Sequence, residues 1–79
     1  MDHRLAVRGF LENLLLQKGD VKGFADTDSL VNSGRLESVD TLELVIFLEE
    51  KYGIDFGDRG FDQNEFDSVN SIMAVIGAL

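Results

Sequence analysis

The chain has 79 residues, enough for one small domain whose stability is of the order of 3 to 5 kcal/mol. It contains no cysteine, which excludes a disulfide scaffold, a thiolate zinc site and a cysteine nucleophile, and means that any chemistry needing a thiol would have to take it from outside the chain. Its net charge of −8 is uneven: residues 1–23 carry four basic and three acidic side chains, residues 24–79 three basic and twelve acidic, a surface that repels phosphate backbones and argues against nucleic-acid binding.

Residues 2–18 place Leu5, Val7, Phe10, Leu11, Leu14 and Leu15 at spacings dominated by three and four, which predicts an amphipathic helix. Asp2 is a candidate cap for it. Gly19 and Asp20 stop it, with Lys18 in the last turn where the helix dipole favours a cation. Residues 19–37 form a long connection, which in a small domain is often functional. Phe24, Leu30, Val31 and Leu36 are its expected anchors to the core, and Ser33-Gly34 reads as a turn.

A second helix is predicted from Ser38 to Tyr52, with Ser38 as N-cap and Gly53 as C-terminal cap. On that register the capping box is incomplete, because position 41 is threonine. At about 100° per residue, Thr41, Leu44, Val45, Leu48 and Tyr52 share a charge-free arc that should face the core. Val39, Glu43, Ile46 and Glu50 fall on another arc, with Leu42 and Glu49 at its border; Phe47 belongs to neither. Residues 53–61 hold three glycines and read as loop. A short helical turn is expected at about 62–66, then a final helix capped by Ser68, with Val69, Ile72, Met73, Val75, Ile76 and Leu79 as its apolar positions. The predicted architecture is all-α: a single domain over residues 1–79, a bundle of three main helices plus one short one, with a long loop between the first two. No stretch approaches 18 apolar residues and the N-terminal segment lacks a signal-like apolar run, so a cytoplasmic protein without membrane insertion is expected.

Ser38 admits three readings. As a helix cap it is purely structural. As a nucleophile acting alone it needs a base and oxyanion donors; the one histidine, His3, lies on another helix, the flanking Glu37 and Asp40 oppose an oxyanion, and no G-x-S-x-G turn is present. As an acceptor it needs only to be exposed at the end of a helix while a separate enzyme brings base and metal. A phosphodiester suits a helix N-terminus, although Glu37 and Asp40 repel it, which leaves docking of a basic partner as the economical role for those acids.

The stretch LESVDTLELVIFLEEKYGIDF, from Leu36 to Phe56, resembles the signature of acyl and peptidyl carrier proteins. Ser38, Asp40, Thr41, Glu43, Leu44, Glu49 and Glu50 match its positions; Glu37 stands where aspartate is usual and Val39 where leucine is typical. Asp28-Ser29-Leu30 and the run from Phe66 to Ile72 look like two further family segments, so the resemblance covers nearly the whole chain. It implies a stand-alone carrier, not an enzyme, in fatty acid, polyketide or related biosynthesis, with no catalytic residue or metal of its own. Ser38 would receive 4′-phosphopantetheine from coenzyme A through a phosphopantetheinyl transferase and Mg²⁺. Glu37, Val39, Asp40, Glu43, Ile46, Glu49 and Glu50 would then dock acyl- or aminoacyl-loading and acyl-transferring enzymes bearing basic patches, with the chain acting as a monomer. Lys51 and the FDSVNSI stretch tilt the cargo toward an aminoacyl group, of the D-alanyl or peptidyl-carrier kind. The alternative outside the class is an unmodified acidic helical module that docks a basic partner. Asp26, Asp28 and Asn32, or Asp55, Asp58 and Asp62, do not fit the spacing of a calcium loop.

Overall fold

Four helices carry the chain in a computed structural model that describes residues 3–60 and 62–77, without the side chains of residues 58 and 59. Helix α1 is His3–Gln17, α2 Ser38–Tyr52, α3 Phe56–Arg59 and α4 Val69–Gly77, with a 3-10 turn at Gln63–Phe66. There is no strand among the described residues. Asp2 and Leu79, a candidate cap and a candidate core position, lie outside them, as does Phe61 at the end of the expected loop.

Val7, Leu11, Leu14 and Leu15 of α1 are buried, as the spacing predicts. Leu5 is not: it is 67% exposed. Two residues are about 200° of helix, so Leu5 and Val7 point to opposite sides and only one can face the core. The helix ends at Gly19, which takes the left-handed conformation (φ 79°). There the N–H groups of Gly19 and Asp20 donate to the carbonyls of Leu16 and Leu15, both at 2.9 Å.

Thr41, Leu44, Val45 and Leu48 of α2 are buried and Tyr52 is half-buried, which is the expected inward arc. Phe47, which fits no arc of α2 taken alone, stacks on Phe10 of α1 with ring centroids 4.3 Å apart. The C-terminal cap is as expected: Gly53 is left-handed (φ 67°) and its N–H reaches the Glu49 carbonyl at 2.9 Å. The stretch after it is not simply loop. Ile54 and Phe56 are buried, and α3 sets the Phe56 ring edge-on to Phe66 at 5.5 Å. Four residues are too short a helix to show a period in sequence. The 3-10 turn falls where a short turn was expected. Ser68 caps α4, its hydroxyl accepting the Ser71 N–H at 3.1 Å, and Val69, Ile72, Val75 and Ile76 face inward.

The long connection is held at both levels of its chain. Leu30, Val31 and Leu36 are buried and Phe24 packs partly against the core. The Asp67 carboxylate, just ahead of α4, accepts from the Ser29 hydroxyl at 2.9 Å and from the N–H groups of Val31 and Asn32 at 2.9 and 2.8 Å. Arg4 and Arg8 of α1 each reach Asp26 at 2.6 Å, and Arg35 takes Asp20 through both carboxylate oxygens at 3.0 Å. The loop is thereby sewn to α1 and α4, and α2 begins from a fixed point.

Candidate functional site at the start of helix α2

The first turn of α2 is built one residue earlier than the sequence alone suggests. Glu37, with extended backbone (φ −94°, ψ 173°), is the N-cap residue, and the N–H of Thr41 closes the first turn on its carbonyl at 3.0 Å. Asp40 therefore occupies the third helical position. Its carboxylate reaches back to the Glu37 N–H at 2.9 Å, the reciprocal arm of a capping box. The expected register, with Ser38 as cap and the box left incomplete at Thr41, is corrected by this bond.

Ser38 is consequently the first residue inside the helix. It is exposed, and its hydroxyl takes no hydrogen bond among the described residues. A cap hydroxyl would be committed to the helix N–H groups; at this position it is left available. Beside it lies an open groove of about 440 Å³ lined by Ser38, Thr41, Leu42 and Gln63. Among the described residues no histidine stands near. His3 shares a hydrogen bond of 3.2 Å with the Tyr52 hydroxyl at the other end of α2, roughly 20 Å of helix away. The arrangement presents an exposed hydroxyl to another molecule.

Asp40 does not face the solvent as a docking acid would. It is 8% exposed, and Lys18, from the end of α1, sits on it at 2.6 Å. Burial pushes the Asp40 carboxyl up, but the Lys18 ammonium and the Glu37 N–H outweigh it and hold the group below the ordinary carboxylate value. The same ammonium is 3.4 Å from Glu37. Lys18, expected in the last turn of α1 to serve its dipole, lies just past that helix and bridges to the start of α2.

The other expected contact residues lie on the outer face of α2. Glu37, Glu43 and Glu50 are exposed, while Glu49 is half-buried and accepts the Phe56 N–H at 3.3 Å. Val39 and Ile46 are 66% and 45% exposed, and Leu42, left at a border by the sequence reading, is 58% exposed between them. Their spacing of three and four makes one apolar stripe beginning beside Ser38, flanked by carboxylates. Leu42 was missed because apolar periodicity reports core faces and has no separate signal for an apolar stripe left in water. Among the described residues there is no cluster of acids or histidines placed to hold a metal ion, and Asp26, once a candidate ligand, is taken by Arg4 and Arg8. No helix of the described residues is long and apolar enough to cross a membrane.

No family model matches the chain, and no solved structure does. Among curated proteins it is similar to a D-alanyl carrier protein of Lacticaseibacillus rhamnosus, 35% identical over 57 residues, which cover 72% of this chain and 69% of the relative. With that relationship, and with an all-helical fold that offers a free serine hydroxyl at the head of an acid-lined helix, the chain belongs to the acyl and peptidyl carrier proteins, the phosphopantetheine carriers.

Proposed function

We propose that Ser38 Oγ is the attachment point of 4′-phosphopantetheine, and that the chain then carries an aminoacyl or short acyl group as a thioester between partner enzymes. The observation that carries this reading is the register of α2. Glu37 and Asp40 complete the cap between them, so the serine at the first helical position serves no structural bond and stands beside an open groove. In the transfer, Ser38 Oγ forms a bond to the pantetheine-bearing phosphorus of coenzyme A. The bond from that phosphorus to the bridging oxygen breaks, adenosine 3′,5′-bisphosphate leaves, and the hydroxyl proton passes to a base on the phosphopantetheinyl transferase. The chain itself is acceptor and carrier, not catalyst. When bound, the prosthetic group supplies the thiol that a chain without cysteine lacks.

Docking falls to the outer face of α2. Val39, Leu42 and Ile46 supply apolar contact, and Glu37, Glu43, Glu49 and Glu50 meet basic groups on the partner. Asp40 leaves this set because it is buried against Lys18. Exposed ion pairs are worth about 0 to 1 kcal/mol each, so docking is fast, reversible and salt-sensitive, as a shuttle requires.

For the cargo, two observations favour an aminoacyl group. The named relative is a D-alanyl carrier protein. The core is also closely filled: Leu11, Leu44, Leu48 and Phe66 have no exposed surface, so a long acyl chain entering between the helices must displace packed side chains.

Incubation of the apo chain with coenzyme A, Mg²⁺ and a promiscuous transferase tests the attachment. The expected result is the mass gain of one phosphopantetheine group, mapped to Ser38 and absent from Ser38→Ala. A folded chain that gains no mass would instead favour an unmodified module that docks a basic partner.

A further inference from the structure

We propose that Lys18 is a positioning residue for attachment at Ser38: its ammonium fixes the carboxylates flanking the acceptor hydroxyl and halves their charge, so that an anionic diphosphate donor can be brought against it. The inference rests on the attachment reading above and deepens it.

The difficulty it resolves is visible in the sequence. A diphosphate must approach an oxygen with one acid immediately before it and another two residues after it, and like charges that close oppose the approach. Among the described residues one cation stands at that point. Lys18 Nζ is 2.6 Å from Asp40 Oδ2 and 3.4 Å from Glu37 Oε2. Three other cations of α1 and the loop are engaged elsewhere: Arg4 and Arg8 on Asp26, and Arg35 on Asp20.

Two consequences follow for Ser38. Glu37, Asp40 and Lys18 together sum to one negative charge, where the two carboxylates alone would give two. Asp40 Oδ2, which takes the ammonium, is also the atom that accepts the Glu37 N–H at 2.9 Å, so Lys18 holds in place the cap of the turn that carries the serine. Lys18 is itself fixed by its backbone, its N–H donating to the Leu15 carbonyl at 3.0 Å just before the left-handed Gly19. Its hydrogen bond to Asp40 holds the ammonium above the ordinary lysine value, so it stays charged through the neutral range.

Removing Lys18 has opposed effects on the two stages of the reaction. The surface becomes more acidic, which favours encounter with a basic transferase. The acceptor turn becomes looser and more repulsive to the donor, which slows transfer. Positioning therefore predicts a split between kcat and KM that neither a docking role nor general destabilisation produces.

The test is steady-state transfer from coenzyme A with Mg²⁺ and a promiscuous transferase, comparing the unsubstituted chain, Lys18→Met and Lys18→Arg. We expect Lys18→Met to lower kcat by roughly fivefold or more with no rise in KM for the carrier, and Lys18→Arg to recover most of the loss. Amide exchange at Glu37 should quicken in Lys18→Met. In an Asp40→Asn background, where one flanking carboxylate is already gone, the Lys18→Met effect should shrink to less than about twofold. That pair also serves if Lys18→Met alone does not fold, since it leaves no buried carboxylate unpaired. Equal kcat for Lys18→Met and the unsubstituted chain, a loss confined to KM, or failure of Lys18→Arg to rescue would each overturn the inference while leaving attachment intact. No modification of the unsubstituted chain would overturn the attachment reading, and this one with it.

Discussion

Replacing Ser38 by alanine removes one exposed hydroxyl that holds nothing in the fold. Had Ser38 been the helix cap, the substitution would cost about 1 kcal/mol. At the first helical position, with Glu37 as cap and Asp40 closing the turn, the cost should be within about 0.5 kcal/mol. Urea unfolding of Ser38→Ala should therefore overlay that of the unsubstituted chain, while transfer of phosphopantetheine is lost; a shift of more than about 1 kcal/mol would return the serine to a structural role. The identity of the residue was legible in the sequence and its register was not. Serine is a strong cap residue and glutamate is not, so local preference selects Ser38. What decides for Glu37 is the Asp40 carboxylate turned back by Lys18, 22 residues away. Asp40 was read as a surface acid for the same reason: nothing local distinguishes a carboxylate that points out from one that a distant ammonium draws in.

At the scale of elements, the outer face of α2 and the loop that leads into it make separable predictions. Glu43→Lys combined with Glu50→Lys reverses two exposed charges beside Leu42 and Ile46 without touching the buried arc. Helicity by circular dichroism should stay unchanged while partner kinetics slow at low salt; unchanged kinetics there would remove the acidic face from docking. Asp67→Ala takes a carboxylate from three donors on the loop, Ser29, Val31 and Asn32. Stability should fall by about 1–3 kcal/mol, measurable by urea unfolding. An unchanged midpoint would mean that water serves those donors equally well. The long helices were readable because 15 residues give a period time to show, and the buried arcs of α1 and α2 fell where they were expected apart from Leu5. Helix α3 and the Phe10–Phe47 stack were not: one is barely a single turn, and the other joins two helices whose relative rotation no single helix encodes.

For the molecule as a whole, stability should depend on pH through carboxylates held below their ordinary values. Asp20 is lowered by Arg35, and Asp26 by Arg8 and Arg4. In Asp40 and Asp67 burial acts the other way, but their hydrogen bonds prevail: Lys18 and the Glu37 N–H for one, Asn32, Ser29 and Val31 for the other. A lowered folded value means that the stabilisation is complete above the unfolded carboxylate pKa of about 3.9 and is lost as pH falls through the folded values. The melting midpoint should thus hold from pH 7 to about 5 and fall below about 4; a midpoint still rising at pH 3 would mean that relief of the net charge of −8 outweighs the loop clamps. These clamps were invisible in the sequence because each joins residues far apart along the chain, whereas the charge imbalance they leave on α2 was plain from composition.

Intact-mass and peptide-mapping spectrometry of the chain purified from the cells that make it tests the carrier reading most directly. Phosphopantetheine on the peptide containing Ser38, free or bearing a small aminoacyl group, is the predicted result. A bare Ser38 in cells that contain an active phosphopantetheinyl transferase would contradict it.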